Sequence, residues 1–224
     1  MSATKPITLH GHTGGPNPWK VAIILEELNI PYTYNVIDFA DMKKPEYEKI
    51  CINGRVPAIE DPNTGITLWE SGAIIEYLVE TYDTKNTLTY TTTPEKFLVK
   101  QWLHFQVSGQ GPYYGQAVWF DKYHHEKLPS ALERYRGQVL RVVSVLDRAL
   151  AGKKYLVGDK VTYADLAFVT WEQGLPFIFG EQFAGLDLEN KYPNYSAWKK
   201  SLVERPSVQK INKDKQAIME AANH

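Results

Sequence analysis

The chain has 224 residues, 43% of them hydrophobic, and a formal net charge of −1. This length suits one large domain or two modest ones, and the apolar content is sufficient to form a core. Lys and Arg residues are scattered, so no broad basic surface is available for nucleic acid or for anionic lipid. The composition therefore indicates a globular protein that binds neither.

The number of cysteines and the length of the apolar runs indicate the cellular compartment to be expected. A single cysteine, Cys51, excludes an intrachain disulfide framework and a C-x-x-C redox centre. Apolar runs such as Val21–Leu25 are too short to span a bilayer, and the first residues show no apolar segment of a secretory signal. We expect a cytoplasmic protein without a membrane partner.

Short β-prone runs alternate with helical runs in the first part of the chain. Asn17 is a favourable N-cap and Pro18 suits the first helical position, so a helix is expected to begin there. The predicted elements are strands at Ile7–His10, Tyr32–Asp38, Val56–Ile59 and Ile66–Trp69, and helices at Lys20–Leu28, Pro45–Ile50 and Ala73–Leu78. The resulting order, β-α-β-α-β-β-α, is that of a thioredoxin-like domain.

The stretch from Arg55 to Ile75 carries the most specific pattern in the chain. Turn-forming residues at Asp61–Gly65 join the last two predicted strands into a hairpin, and Glu70 and Ser71 precede the next helix. A helix N-terminus presents unpaired N–H groups and a partial positive charge, which suit an anion, whereas the Glu70 carboxylate suits an ammonium group. The stretch therefore predicts a site for a ligand that carries both a carboxylate and an amine.

The remainder of the chain has helical patterns. A Thr-rich segment without periodic apolar residues precedes it, and Thr162 with Asp165 forms a predicted capping box. Helices are predicted at Phe97–Val107, Leu132–Leu150, Pro193–Leu202 and Pro206–Ala222. We therefore predict a first domain at residues 1–83, a linker at 84–94 and an all-helical domain at 95–224.

Several motifs resemble one protein family. The V-P-A-I run at Val56–Ile59 and the W-E-S-G-A-I-I-E-Y-L run at Trp69–Leu78 are similar to the glutathione-binding half of the cytosolic glutathione transferases. The G-D-K-x-T-x-A-D run at Gly158–Asp165 resembles these transferases generally. The runs at Pro16–Val21 and Phe105–Gly109 resemble the fungal class named for the yeast nitrogen-catabolite regulator and prion protein. The resemblance covers nearly the whole chain, without that regulator's disordered N-terminal prion segment.

The resemblance implies that glutathione is the co-substrate, and it assigns most of the contacts. The Val56-Pro57 bond is then cis, and the Val56 backbone meets the cysteinyl part of glutathione like an added strand. Glu70 and Ser71 hold the γ-glutamyl end, and Gln110 helps to line the thiol side. The resemblance also implies the architecture of the family, with a thioredoxin-like domain followed by a helical domain.

Three basic side chains lie in the loops before the predicted hairpin, namely Lys43, Lys44 and Arg55. Each can reach the glycyl carboxylate of glutathione through a charge-assisted hydrogen bond. A solvated basic loop is the alternative interpretation of the same residues.

Activation of the glutathione thiol is the chemistry that such a site has to perform. A free thiol has a pKa near about 8.5, and a helix N-terminus lowers it by roughly one unit. The resemblance assigns the additional hydrogen bond to Asn17, which makes it the first catalytic candidate, although the same residue suits an N-cap. Thr13, the only nearby hydroxyl, is the second candidate, and His12 is a possible base.

An aromatic cluster in the second half could bind the second substrate. Tyr113, Tyr114, Trp119 and Phe120, with Tyr123 nearby, could form an apolar wall for a small molecule. Core packing explains some of these side chains equally well. Because the family is dimeric, the resemblance implies a homodimer, and part of the cluster could be its interface.

We expect a detoxifying transferase in which the glutathione thiolate attacks an electrophilic small molecule. The first alternative is a glutathione-dependent reductase of disulfides or peroxides, and the second is a non-catalytic glutathione-binding regulator. No metal is expected, because His10-x-His12 and His124-His125-Glu126 lack further ligands at a suitable spacing.

Overall fold

A computed structural model describes residues 4–222 of the chain. The chain divides into two compact units. One contains the chain up to Leu88 and again from Glu204 onward, and the other runs from Thr89 to Val203. The last helix therefore belongs to the same unit as the beginning of the chain.

The first unit is built on a four-stranded mixed sheet with the strand order β2-β1-β3-β4. The strands are β1 at Ile7–Gly11, β2 at Tyr32–Val36, β3 at Ala58–Asp61 and β4 at Ile66–Trp69. β1 and β2 are parallel, whereas β3 pairs antiparallel with both β1 and β4. Parallel neighbours require a crossover connection, and the helix α1 at Pro16–Glu27 supplies it. The predicted thioredoxin-like order is confirmed.

Two further helices of this unit follow strands. They are α2 at Pro45–Glu48 and α3 at Ser71–Tyr82. Every residue of α1 from Pro18 to Leu25 is buried, so this helix is enclosed on all sides rather than on one face. α3 buries Ile74 and Leu78 among others, as its helical spacing predicts. Each such side chain contributes about 1.5–3 kcal/mol through burial.

The last helix, α11 at Pro206–Ala222, packs on α1. Arg205, just before it, binds the Glu27 carboxylate at the end of α1 with two hydrogen bonds of 2.7 Å. Val208 and Ile211 add buried apolar contacts. The predicted helical domain at 95–224 is therefore wrong at its end, because this packing places residues from Glu204 onward in the first unit.

The second unit is helical, as predicted. Its helices are α4 at Glu95–Phe105, α5 at Gly111–Val118, α6 at Pro129–Ala149, α7 at Tyr163–Glu172, α8 at Leu175–Phe179, α9 at Leu188–Lys191 and α10 at Pro193–Val203. Two π-helical turns, at Gln106–Gln110 and Trp119–Tyr123, flank α5. The predicted capping box begins α7, where the N–H and the hydroxyl of Thr162 donate to the Asp165 carboxylate at 2.9 and 2.8 Å.

Membrane insertion through a helix finds no support in the structure. Among residues 4–222, none of the helices combines the length and the apolar character that crossing a bilayer requires.

Candidate functional site

The junction between β4 and α3 presents an uncapped helix N-terminus. The carbonyl of Glu70 accepts the first helical hydrogen bond, from the Ile74 N–H at 2.9 Å. The N–H groups of Ser71, Gly72 and Ala73 precede that bond and have no partner within the helix. No side chain caps this end, and the Ser71 side chain is buried at 6% exposure. Glu70 and Ser71 therefore do not act as a side-chain cap of α3.

The backbone of Glu70 is strained. Its φ of 73° and ψ of 112° lie in a region that a residue with a side chain rarely adopts. Such a conformation is unfavourable by about 1–3 kcal/mol and persists where the surrounding structure enforces it, commonly at ligand sites. The exposed Glu70 side chain directly precedes the N–H groups in the first turn of α3 that have no partner within the helix.

The Val56-Pro57 peptide bond is cis, as the resemblance predicts. Tyr47 anchors the chain just before it, because its hydroxyl donates to the Arg55 carbonyl at 2.9 Å. The Val56 side chain packs against the buried cluster around Tyr47 and Cys51. Cys51 itself is a buried free thiol and packs as a small apolar side chain.

Two aromatic side chains hold the loop before α1. The Trp19 Nε1–H donates to the Thr13 carbonyl at 3.1 Å, and the Tyr34 hydroxyl donates to the His12 carbonyl at 3.1 Å. The two rings are stacked with their centroids 4.3 Å apart. Gly11 permits this approach, since any side chain there would collide with the Tyr34 ring. The loop that carries Thr13 is therefore fixed through its backbone carbonyls.

Asn17 lies inside α1 and is not its N-cap, so that part of the sequence prediction is wrong. The helix begins at Pro16, and Gly15 occupies the N-cap position without a side-chain hydrogen bond. Pro16 and Pro18 both lack an N–H, so the first turn has fewer free donors than an ordinary helix start. The half-buried Asn17 amide adds a donor at this position.

His12, the possible base, is half-buried in the same loop. The Gly14 N–H donates to its Nδ1 at 3.1 Å, and its ring lies 4.0 Å from that of Phe39. Burial lowers the pKa of His12, while the charge of Asp38 opposes this shift. The imidazole is therefore largely neutral at pH 7 and is already used to shape the loop.

The three basic candidates do not share one environment. Lys43 donates to the Asn53 carbonyl at 2.8 Å, beside the exposed Arg55. Lys44 instead pairs with Asp41 at 2.5 Å, where it lines a separate cavity of about 550 Å³ with His10 and other residues. The structure thus brings Lys43 and Arg55 to the same turn and directs Lys44 elsewhere.

Lys20 is a residue that sequence reasoning missed. It is fully buried in α1, at 1% exposure. Burial lowers the pKa of its ammonium group to about 7, and the negative charge of Glu70 opposes this shift. A lysine enclosed by the apolar positions of a helix was the sequence signal that could have identified it.

Gln110 is enclosed in the core of the second unit, although the resemblance had placed it beside the thiol. Its Nε2 donates to Glu172 at 2.6 Å and to the Phe168 carbonyl at 3.2 Å, and its Oε1 accepts from Gln106 at 2.8 Å. Because these bonds already use both ends of a fully buried amide, we assign Gln110 to the core.

Tyr114 belongs to the same buried network. Its hydroxyl donates to Glu172 at 3.0 Å, and Tyr195 donates to the other oxygen of that carboxylate at 2.5 Å. Burial raises the pKa of Glu172, and the hydrogen bond from Tyr195 and the charge of Lys199 oppose the shift. Tyr114 is thus a core residue, and its assignment to a second-substrate pocket is wrong for that reason.

The other aromatic candidates are more accessible. Trp119 is 50% exposed and Tyr123 is 63% exposed, with ring centroids 6.1 Å apart. Phe120 stacks on Tyr135 at 5.4 Å, and Tyr113 is half-buried. Within the second unit, Trp119 and Tyr123 are thus exposed aromatic side chains, whereas Tyr113 and Phe120 are half-buried.

The histidine motifs differ in their surroundings. His10 is buried, and its two ring nitrogens bond to Glu60 at 2.8 Å and to Asn35 at 2.9 Å. The ligand atoms of His124, His125 and Glu126 lie within 4.8 Å of one another at the surface. Adjacent residues at an exposed turn offer too few enclosed ligands for a typical structural metal site.

Two family models match the chain. The N-terminal domain of glutathione S-transferase matches residues 9–86, and the C-terminal domain matches residues 112–206. The glutathione S-transferase-like protein gedE of Aspergillus terreus is 50% identical to the chain over 94% of this chain and 96% of its own length. The chain belongs to the glutathione S-transferase family. Glutathione S-transferase 2 of Schizosaccharomyces pombe is a further member of this family, 42% identical over 90% of this chain and 92% of its own.

Solved structures confirm the resemblance to the fungal class. The glutathione transferase URE2P8 of Phanerochaete chrysosporium with oxidised glutathione matches this chain with a TM-score of 0.91 and 38% identity, covering 98% of this chain and 99% of its own. Ure2p in complex with glutathione matches with a TM-score of 0.86 and 36% identity over 94% and 100% of the two chains. Ure2p5 of Phanerochaete chrysosporium cocrystallised with 1-(S-glutathionyl)-2,4-dinitrobenzene matches with a TM-score of 0.88 and 36% identity over 98% of each chain.

Proposed function

We propose that the chain binds glutathione in its first unit and activates the glutathione thiol as a thiolate. The start of α3 carries this proposal. The Ser71 hydroxyl and the N–H groups of the first turn suit the α-carboxylate of the γ-glutamyl group. The exposed Glu70 carboxylate suits the ammonium group on the same carbon. One amino-acid head group therefore satisfies both parts of the junction.

The rest of the tripeptide extends along neighbouring segments of the same unit. The backbone of Val56, next to the cis proline, pairs with the cysteinyl residue as an added strand would. The turn around Lys43 and Arg55 offers two cations for the glycyl carboxylate. We leave Lys44 and Gln110 out of the proposed site, because their polar groups are engaged elsewhere.

Asn17 supplies the hydrogen bond that stabilises the thiolate in this proposal. A helix N-terminus contributes about 0.3–1 kcal/mol, whereas a shift of one pKa unit requires about 1.36 kcal/mol. The two prolines at the start of α1 reduce the available N–H groups further. An additional donor is therefore needed, and the Asn17 amide is in the first turn. The Thr13 hydroxyl, in the fixed loop just before α1, is the second candidate.

The first proposed reaction is conjugation in the detoxification of small electrophiles in the cytoplasm. The thiolate attacks an electrophilic carbon, a C–S bond forms, and the leaving group departs with its electron pair. Ure2p5, a structural neighbour, was cocrystallised with a product of this type. The exposed aromatic side chains of the second unit, Trp119 among them, are proposed as the apolar wall for the electrophile.

The second proposed reaction is reduction of a disulfide or a peroxide. Here the thiolate attacks one sulfur of a disulfide or one oxygen of a peroxide, the S–S or O–O bond breaks, and the leaving thiolate, alkoxide or hydroxide takes up a proton. A second glutathione then attacks the glutathione sulfur of the resulting mixed disulfide or sulfenic acid, which releases oxidised glutathione together with the second thiol or with water. The presence of oxidised glutathione in the URE2P8 structure favours retaining this reaction beside conjugation. Both reactions require the same activated thiolate, so the binding site is common to them.

We also propose that the chain forms a homodimer. Among residues 4–222, α4 exposes the apolar side chains of Phe97 and Leu98, and the first unit exposes Phe39 and Ile52. Apolar side chains at the surface are typical of protein contacts when they lie together. Light scattering on the purified protein should give twice the mass of one chain, and a monomer at micromolar concentration would contradict the proposal.

An ultraviolet titration of bound glutathione tests the proposed activation. The thiolate absorbance of the complex is followed against pH, with free glutathione as the reference. We expect a pKa at least about one unit below the free thiol value of about 8.5. Turnover with 1-chloro-2,4-dinitrobenzene and with hydroxyethyl disulfide then separates conjugation from disulfide reduction.

The same titration identifies a non-catalytic regulator. Such a protein binds glutathione without shifting the pKa of the thiol, and it turns over neither substrate. That outcome would contradict the proposed activation while leaving the binding site intact.

A further inference from the structure

The ammonium group of Lys20 is enclosed in the first unit. Lys20 is 1% exposed, and its neighbours along α1 from Pro18 to Leu25 are all buried. A lysine is rarely fully buried unless its charge is paired, because removing an ammonium group from water is unfavourable. An apolar side chain of similar length would fill the same space without that penalty.

The charge that acts on Lys20 comes from Glu70. α1 packs against α3, and Glu70 is the residue that precedes α3. Burial lowers the pKa of Lys20 to about 7, and the field of Glu70 raises it again in part. The packing of α1 on α3 and the effect of the Glu70 charge indicate that the buried ammonium group of Lys20 lies within electrostatic range of the exposed Glu70 side chain.

We propose that Lys20 is a positioning residue, which anchors the Glu70 carboxylate from inside the fold so that its outer oxygen meets the ammonium group of the γ-glutamyl residue. This inference rests on the proposed function. An exposed glutamate without an anchor populates several rotamers, and holding it in one of them removes an entropy loss from ligand binding. The strained backbone of Glu70 indicates that the surroundings enforce its geometry in the same way.

This role differs from a purely structural one in what it predicts. If Lys20 served only the fold, its removal would lower stability and weaken every ligand of the site equally. If Lys20 positions Glu70, its removal lowers the affinity only for ligands that carry the amine which Glu70 binds. A glutathione analogue without that amine, glutaryl-Cys-Gly, is therefore the discriminating probe.

The experiment measures the affinities of glutathione and glutaryl-Cys-Gly by calorimetry for wild-type protein and for Lys20→Met. We expect glutathione to bind at least about tenfold more weakly to Lys20→Met, with glutaryl-Cys-Gly changed by less than about twofold. Lys20→Arg, which keeps the charge, should restore most of the preference for the amine. Lys213→Met, at an exposed position of α11, is the matched control and should bind both compounds as wild type does.

The outcomes distinguish this inference from the proposed function. Suppose that the wild-type protein binds glutathione, and that Lys20→Met favours glutathione over glutaryl-Cys-Gly by the same factor as wild type does. In that case only the inference is overturned. Equal weakening of both compounds, or tighter binding of glutathione, also overturns it. If the wild-type protein does not bind glutathione, the proposed function fails and the inference fails with it. Melting curves of both variants show whether the fold is retained, and Lys20→Arg provides the test if Lys20→Met does not fold.

Discussion

Arg205 and Glu27 form a bidentate ion pair across 178 positions of the sequence, with both hydrogen bonds at 2.7 Å. The Ser207 hydroxyl donates to the same carboxylate. The pair is partly buried, with 10% of the Glu27 side chain exposed. It joins the beginning of α11 to the end of α1, and it explains why the last helix belongs to the unit that contains the sheet.

Replacing Arg205 should loosen α11. Arg205→Met removes both Arg205 hydrogen bonds from the Glu27 carboxylate, and loss of charged hydrogen bonds at such a site lowers the free energy of unfolding by about 1–3 kcal/mol. Urea denaturation at pH 7 measures this change. Arg134→Met, at an exposed position of α6, is the control. A change within about 0.5 kcal/mol for both variants would show that the pair contributes little.

The same pair predicts a pH dependence. Burial would raise the pKa of Glu27, but the hydrogen bonds from Arg205 and Ser207 lower it below its ordinary value. A carboxyl whose pKa is lower in the folded state stabilises the protein above its unfolded pKa and loses that contribution as the pH falls. The difference in stability between wild type and Arg205→Met should therefore shrink below about pH 4.5. A constant difference down to pH 3 would contradict this.

Local sequence signals account for most of the fold. Helical spacing predicted α3 and α6, and the capping box predicted the start of α7 at Thr162. The unit to which α11 belongs could not be predicted, because the pairing of Arg205 with Glu27 connects residues that no local pattern relates. The start of α1 was misplaced because Asn17 is a good N-cap by type, whereas two prolines in the first turn begin the helix earlier.

Lys20→Met should leave the fold as stable as wild type at pH 7 or stabilise it by up to about 4 kcal/mol. The unfolded chain takes up the lysine proton near pH 10.5, whereas the buried Lys20 of the folded protein takes it up only near pH 7. The penalty for burying Lys20 therefore grows as the pH falls between these two values. Urea denaturation should show a smaller difference between the two proteins at pH 10 than at pH 7. Destabilisation of the variant at both pH values would contradict the prediction.

Substitutions of Tyr114 and Trp119 should have opposite effects on stability and on the KM for the electrophile. Tyr114→Phe removes the hydroxyl that donates to the buried Glu172 carboxylate, so we expect a loss of about 1–3 kcal/mol in stability and an unchanged KM for the electrophile. Trp119→Ala alters an exposed side chain, so we expect little change in stability and a raised KM. Denaturation and steady-state kinetics on both variants check this pair. If Tyr114→Phe raised the KM and Trp119→Ala did not, Tyr114 would belong to the second-substrate pocket.

Asn17→Ala should raise the pKa of the bound glutathione thiol by about one unit, because it removes an amide that donates to sulfur. Thr13→Ala should change this pKa by less, since the structure fixes Thr13 through its backbone carbonyl, which the substitution retains. The ultraviolet titration of both variants measures the shifts. A shift in Thr13→Ala and none in Asn17→Ala would reverse the two roles.

The part of the candidate site that lies in one continuous segment could be predicted from the sequence. Glu70 and Ser71 are adjacent to a strand end and a helix start, so their placement follows from two local signals. Lys43 and Lys44 are also adjacent, but they diverge because one bonds to a distant backbone carbonyl and the other to Asp41. Such choices depend on the folded surroundings of each side chain, which spacing alone does not describe.

Isothermal titration calorimetry of glutathione into wild-type, Glu70→Gln and Ser71→Ala proteins tests most directly whether the start of α3 binds the γ-glutamyl end. We expect both variants to bind roughly 10–100-fold more weakly, as loss of a hydrogen bond to a charged group predicts. Glu80→Gln, at an exposed position near the other end of α3, should bind as wild type does. Unchanged affinity in both Glu70→Gln and Ser71→Ala would contradict the assignment.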